Sequence, residues 1–140
     1  MILRLSKDPE DADGLCHFWF FASTKEYSAT VDFFAYADEF VHFGEQLAEY
    51  SGRAGHEPHF EYGSKAESSY SWLHVQAYPT DMLGHSAIAV SIMRNGARAA
   101  RASAEFSGKL EVAAVNKLGK QLAAWAAADA REFEFEAYGC

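Results

Sequence analysis

The feature that most constrains this chain is an internal repeat. Shifted by 75 residues, Phe43-Gly44-Glu45-Gln46-Leu47-Ala48-Glu49-Tyr50 aligns with Leu118-Gly119-Lys120-Gln121-Leu122-Ala123-Ala124-Trp125, with four of the eight positions identical. The same shift sets Glu57, Phe60 and Glu61 on Glu132, Phe135 and Glu136. An interior built twice from one pattern is the simplest reading. In each copy apolar residues recur at helical spacing, first Phe40, Phe43, Leu47 and Tyr50, then Val115, Leu118, Leu122 and Trp125. After each helix the period changes to two: Glu57, His59 and Glu61 alternate with Phe60 and Tyr62, and Glu132, Glu134 and Glu136 with Phe133 and Phe135. That pattern belongs to a strand with one wet face. Strand-like runs precede each helix, Tyr27–Tyr36 and Arg101–Lys109. The recurring unit reads β-β-α-β, in halves of about 15–63 and 85–139.

The middle of the chain adds strands over Ser69–Tyr78 and His85–Arg94, separated by a turn over Pro79–Gly84. Asn95-Gly96 is a hairpin signal, because both residues tolerate the positive φ of a type I′ turn, and it leads into a strand beginning near Arg98. A meander flanked by helices predicts an α+β fold: an antiparallel sheet with two amphipathic helices packed on one face. Leu47 and Leu122 are expected in the core. No glycine-rich phosphate loop is present.

A length of 140 residues fits one domain spanning 1–140, and 49% hydrophobic with 15% aromatic residues is enough to fill it. The segment Met1-Ile2-Leu3-Arg4-Leu5 is interrupted by Lys7, Asp8 and Glu10 too soon for a signal peptide. No apolar run nears the roughly 18 residues of a membrane helix. A cytoplasmic location and no membrane partner are therefore expected. Cys16 and Cys140 stand far apart in no metal or redox spacing, so no disulfide is predicted.

The net charge of −8 is uneven: residues 1–70 carry 5 Lys and Arg against 13 Asp and Glu, and residues 71–140 carry 7 against 7. A negative field repels phosphate backbones, so nucleic acid is not expected as a partner and a basic protein is allowed. Acidity kept simply for solubility reads equally well.

Chemistry is sparse. The closest approach to a ligand pair is His56-Glu57-Pro58-His59, whose spacing of three across a proline suits neither a strand nor a helix site. Ser86 and Ser91 read as small strand residues. Asp81 and His85, four apart across a turn, admit a carboxylate–imidazole acid–base pair, although organising the turn is the plainer role. No catalytic residues, metal or cofactor are assigned, and the chain is not expected to be an enzyme.

Two surfaces are candidates for partner binding. With Leu73, Val75 and Ala77 facing the helices, Tyr70, Trp72, His74, Gln76 and Tyr78 form an amphipathic aromatic stripe suited to a partner or a homodimer. The second surface is acidic, with Asp38, Glu39, Glu45 and Glu49 on the first helix and Glu57 and Glu61 beyond it. Drift on a solvated face reads the same way.

The run Tyr27-Ser28-Ala29-Thr30-Val31-Asp32-Phe33, the Phe40 to Leu47 helix with Phe43-Gly44, and Tyr78-Pro79-Thr80-Asp81 leading to Gly84-His85 resemble small bacterial WapI-type immunity proteins of toxin systems. The resemblance runs from about Ser23 to Trp125. It implies a cytoplasmic inhibitor that binds and neutralises a cognate toxin, such as a basic toxin domain; the alternative is a homo-oligomeric binding or structural protein. Only Gly84 and His85 carry over, in a structural role.

Overall fold

The computed structural model describes residues 1–8, 11–66 and 68–139. Along the chain run β1 (Ile2–Lys7), β2 (Leu15–Ser23), β3 (Ser28–Tyr36), α1 (Ala37–Ala48), β4 (His59–Gly63), β5 (Ser71–Pro79), β6 (His85–Arg94), β7 (Ala102–Glu111), α2 (Val112–Ala127) and β8 (Glu132–Glu136). The α+β class, antiparallel pairing and two amphipathic helices agree with the sequence reading. The repeat carries one more leading strand, so each half is β-β-β-α-β.

The strands form two antiparallel sheets, ordered β3-β2-β1-β8 and β4-β5-β6-β7. Each sheet takes three strands from one half and its closing strand from the other. The registers show why: Phe133 and Phe135 sit opposite Leu5 and Leu3, and Phe60 and Tyr62 sit opposite Val75 and Leu73. Each closing strand thus presents its apolar face beside the buried residues of the sheet it joins, and both sheets feed a single hydrophobic cluster.

The helices fill the space between. Phe40 stacks on Phe60 at 4.5 Å, lies 4.9 Å from Phe18 and meets Trp125 edge-on at 6.5 Å, so one ring touches both sheets and the other helix. α1 crosses α2 at Gly44 and Gly119, the two glycines matched in the repeat. A Cβ at Gly44 would stand 2.6 Å from the Ala123 nitrogen and 2.7 Å from the Gly119 oxygen, and one at Gly119 would stand 2.5 Å from the Gly44 oxygen. No side chain fits there without moving backbone.

Both helix C-termini are closed by side chains from elsewhere. Asn116 Nδ2 donates to the Leu47 and Tyr50 carbonyls at 3.0 and 2.9 Å. Lys7 Nζ donates to the Ala128 carbonyl at 2.8 Å and to those of Trp125 and Ala126 at 3.3 Å, with its charge 4.8 Å above the Trp125 ring. These donors occupy carbonyls that a helix end leaves without partners, and a cation there complements the helix dipole.

One turn departs from expectation. β7 begins at Ala102 rather than near Arg98, because residues 95–101 form a longer loop containing a helical turn, with the Ala100 and Arg101 amides donating to Ala97 O. Asn95 lacks the positive φ of a type I′ turn, and its side chain donates to the Ala66 and Ser69 carbonyls instead. Cys16 is buried; Cys140 lies outside the described residues. Among the described residues no helix is long and apolar enough to cross a membrane.

The crossing gives a first test. Gly44→Ala and Gly119→Ala should each destabilise the fold by at least about 1–3 kcal/mol, since overpacking meets backbone rather than a movable side chain. Leu47→Ala should cost about 2–5 kcal/mol by cavity formation. Urea denaturation followed by circular dichroism reads both.

Candidate functional site

The outer face of the β3-β2-β1-β8 sheet is unusually aromatic. Its cross-strand rows follow from the registers: Thr30, Phe21, Arg4 and Glu134 in one row, then Asp32, Trp19, Ser6 and Glu132, then Phe34 beside His17. β2 reads Cys16-His17-Phe18-Trp19-Phe20-Phe21, with Cys16, Phe18 and Phe20 buried and His17, Trp19 and Phe21 facing out. Trp19 is 43% and Phe34 46% exposed, a large aromatic surface left open to solvent.

The rings form a row. Tyr70, on the β4–β5 loop and 56% exposed, lies 6.5 Å from Phe34; Phe34 stacks on His17 at 4.5 Å; His17 lies 5.2 Å from Trp19. One carboxylate fixes this geometry. Asp32 Oδ2 takes hydrogen bonds from the Tyr70 hydroxyl and His17 Nε2, both at 2.8 Å, while the Ser71 hydroxyl donates to the Asp32 carbonyl at 2.8 Å. Burial alone would raise the Asp32 pKa, but the bonds from His17 and Tyr70 outweigh it and hold the carboxyl below its ordinary value. The same bond, with some burial, pushes the Tyr70 hydroxyl above its ordinary value.

A cation stands where this row begins. Arg94 ends β6, close enough to act on the Tyr70 hydroxyl. Arg98 and Arg101 follow on the loop that Asn95 ties to Ala66, Ser69 and Tyr70, its backbone amide donating to Tyr70 O at 3.4 Å. Lys65 Nζ lies 4.9 Å over the Trp72 ring. Arg94 thus stands beside Tyr70, while Lys65 lies against Trp72 on the outer face of the other sheet.

At its far side the face sinks into a groove of about 470 Å³ lined by Arg4, Ser6, Trp19, Phe21, Thr30 and Glu134 among others. Arg4 Nε meets Glu134 Oε2 at 3.3 Å, and its guanidinium lies 5.2 Å over the Phe21 ring.

The residues singled out from sequence fall elsewhere, Tyr70 excepted. Trp72, His74 and Tyr78 are half-buried on the outer face of the other sheet; Trp72 donates to Glu61 at 2.8 Å and stacks on His74, and Tyr78 donates to Ser107 at 3.1 Å. Asp38, Glu39, Glu45, Glu49 and Glu57 are exposed on α1 and the loop after it, and Glu39 accepts the Tyr36 amide at the helix start. His56 bonds weakly to Ser51, and His59 leans towards His74. Among the described residues no three metal-ligating side chains converge. His17, Trp19, Phe21 and Phe34 escaped sequence reasoning because β2 is aromatic on both faces, which hides the alternation of a half-exposed strand. The visible signal was a histidine and a tryptophan inside an otherwise apolar run.

Asp81 and His85 do meet, beside a concavity of about 320 Å³. Asp81 Oδ1 accepts the Leu83 amide at 2.7 Å and its other oxygen engages His85 Nδ1, while His85 Nε2 faces Glu111 at 3.6 Å. Ser86, the adjacent hydroxyl, is turned inward to Tyr50 at 2.9 Å. Both imidazole nitrogens serve carboxylates, and the pair organises the turn.

Two pH tests follow. The bond from Asp81, then the charges of Asp81 and Glu111, raise His85; the same bond, then the Leu83 amide, lower Asp81. The stabilisation from His85 is complete below its ordinary value of 6.5 and is lost as pH rises through the raised folded value. That from Asp81 is present above 3.8 and is lost as pH falls through the depressed one. The melting-temperature gap between wild type and His85→Gln should therefore be widest between those limits and shrink on either side. Separately, Asp32→Asn should bring the alkaline ionisation of Tyr70, read by tyrosinate absorbance, down towards the ordinary value.

No protein-family model and no curated protein matches the chain. Among solved structures, WHY3 from Arabidopsis thaliana is similar at a TM-score of 0.44 and 11% identity, over 90% of this chain and 83% of that one. The plant transcriptional regulator PBF-2 is similar at 0.44 and 11%, over 89% and 76%. At this likeness neither assigns an activity to the chain. Both are plant proteins, one of them a transcriptional regulator and neither an immunity protein. The expectations of an immunity-type inhibitor, of a basic toxin domain as its partner and of no nucleic acid are corrected accordingly. Net charge is a sum, and −8 over the molecule does not give the sign of the field at any one place on its surface.

Proposed function

We propose that this chain binds single-stranded nucleic acid on the outer face of the β3-β2-β1-β8 sheet, with phosphates at Arg94 and Arg98 and bases along the Tyr70–Phe34–His17–Trp19 row. The observation that carries the reading is this row of rings starting beside Arg94. Single-strand binding needs a cationic track for the backbone beside π faces for unpaired bases, and each stacked base contributes about 1–3 kcal/mol. A duplex keeps its bases stacked internally and cannot use the row. The acidic remainder, α1 above all, repels phosphate and confines the strand to this corner.

Fluorescence anisotropy with a labelled oligothymidylate of about 12 nucleotides, within the range of one binding site, tests it. Binding should be tighter than to a duplex of equal length and should weaken with salt. Arg94→Glu with Arg98→Glu should lower the salt slope by about 0.7 for each phosphate no longer neutralised. Tyr70→Ala should weaken binding about five- to hundredfold. No anisotropy change at low salt, or equal affinity for duplex, would sink the proposal.

A further inference from the structure

The groove at the far end of the aromatic row has a different character from its beginning, and the difference carries information about which base it takes. Ser6 is the small residue at its floor, between the Trp19 ring on one side and Glu132 on the other, since Ser6 pairs with both across the sheet. In the next row Arg4 lies between Phe21 and Glu134. Glu136, one row further, continues the acidic edge along β8. Three carboxylates against one guanidinium make this rim hostile to phosphate. An aromatic wall with a carboxylate rim instead suits a flat ring that presents N–H groups.

The ion pair leaves hydrogen-bonding capacity in place. It uses Arg4 Nε and Glu134 Oε2, and among the described residues neither the Arg4 Nη groups nor Glu134 Oε1 has a further partner. A donor array and an acceptor therefore stand side by side at the mouth of a groove of about 470 Å³. The four bases differ in what they offer such a pair. Thymine has a single N–H between two carbonyls, and adenine and cytosine each have one amino group next to a bare ring nitrogen. Guanine alone has two neighbouring N–H donors, N1–H and N2–H, for a carboxylate, with the O6 acceptor beside them for a guanidinium.

Resting on the single-strand reading above, we infer that the groove is a guanine-selective base pocket: the base stacks on Trp19 over Ser6, Glu134 accepts from its N1–H and N2–H, and Arg4 donates to O6. A strand bound along the row is then read at one position, where its base leaves the phosphate-binding corner and enters the acidic groove. Contacts to the other rings are blind to sequence, because every base has a π face.

The experiment compares four labelled oligonucleotides with the full chain: oligothymidylate, and the same strand with a central pair of thymidines replaced by guanosine, adenosine or cytidine nucleotides. The guanine strand should bind about five- to hundredfold tighter than the others, the range of one good bidentate contact. In Glu134→Gln, which keeps size but replaces one acceptor oxygen by a donor, the ratio of guanine to thymine affinity should fall to near one. Equal affinities, a preference for adenine or cytosine, or a guanine preference that survives Glu134→Gln would overturn the pocket and leave single-strand binding standing. If none of the four strands binds, both readings fall together.

Discussion

The close crossing of α1 and α2 at Gly44 and Gly119 is the contact on which the rest of the structure depends. Each glycine lets the backbone of one helix touch that of the other, so the two helices act as one thin slab, narrow enough for a single Phe40 ring to reach rings from both sheets. Wider spacing would separate the inner faces and open a void among Phe18, Phe40, Phe60 and Trp125. Interiors tolerate such voids poorly, because atoms lining a gap lose their dispersion partners. The glycines are equivalent positions of the repeat, so the crossing is symmetric in origin as well as in geometry.

The helical stripes, the alternating closing strands and the antiparallel class were legible in the sequence, because burial on one face imposes a period of 3.6 or 2 that local inspection detects. Leu47 and Leu122 are in the core for that reason. What could not be read was which strand each closing strand joins. Phe60 and Phe133 are equally apolar and would satisfy either sheet; the exchange is decided by where the helices deposit the chain, a tertiary fact with no local mark. β1 was missed because six residues with charges at Arg4 and Lys7 give too short a pattern.

The candidate site was legible only in part. Tyr70 was singled out, but as the end of a stripe on its own strand. In the structure it is tied by Asp32 to a row on another sheet, 38 residues away in sequence. Summed charge says nothing of this corner, where Arg94 acts on Tyr70 from another strand and Asn95 binds the Ala66 and Ser69 carbonyls. Long-range hydrogen bonds of this kind have no periodicity to betray them. Asp32, the buried carboxylate at the centre, is covered by Tyr70 and His17, both bonded to it.

The exchange of closing strands also bears on how the chain acquires its structure in time. β1 is made long before β8, yet they are neighbours, with Ile2 opposite Glu136. Until β8 emerges from the ribosome, the β1 edge of the first sheet offers unpaired amides and carbonyls beside Leu3 and Leu5, the kind of exposed edge that recruits strands from other chains. The second sheet has no such interval, because β4 is made before β5. Nascent chains of this protein therefore carry their aggregation hazard at the β1 edge, and the arrival of β8 relieves it.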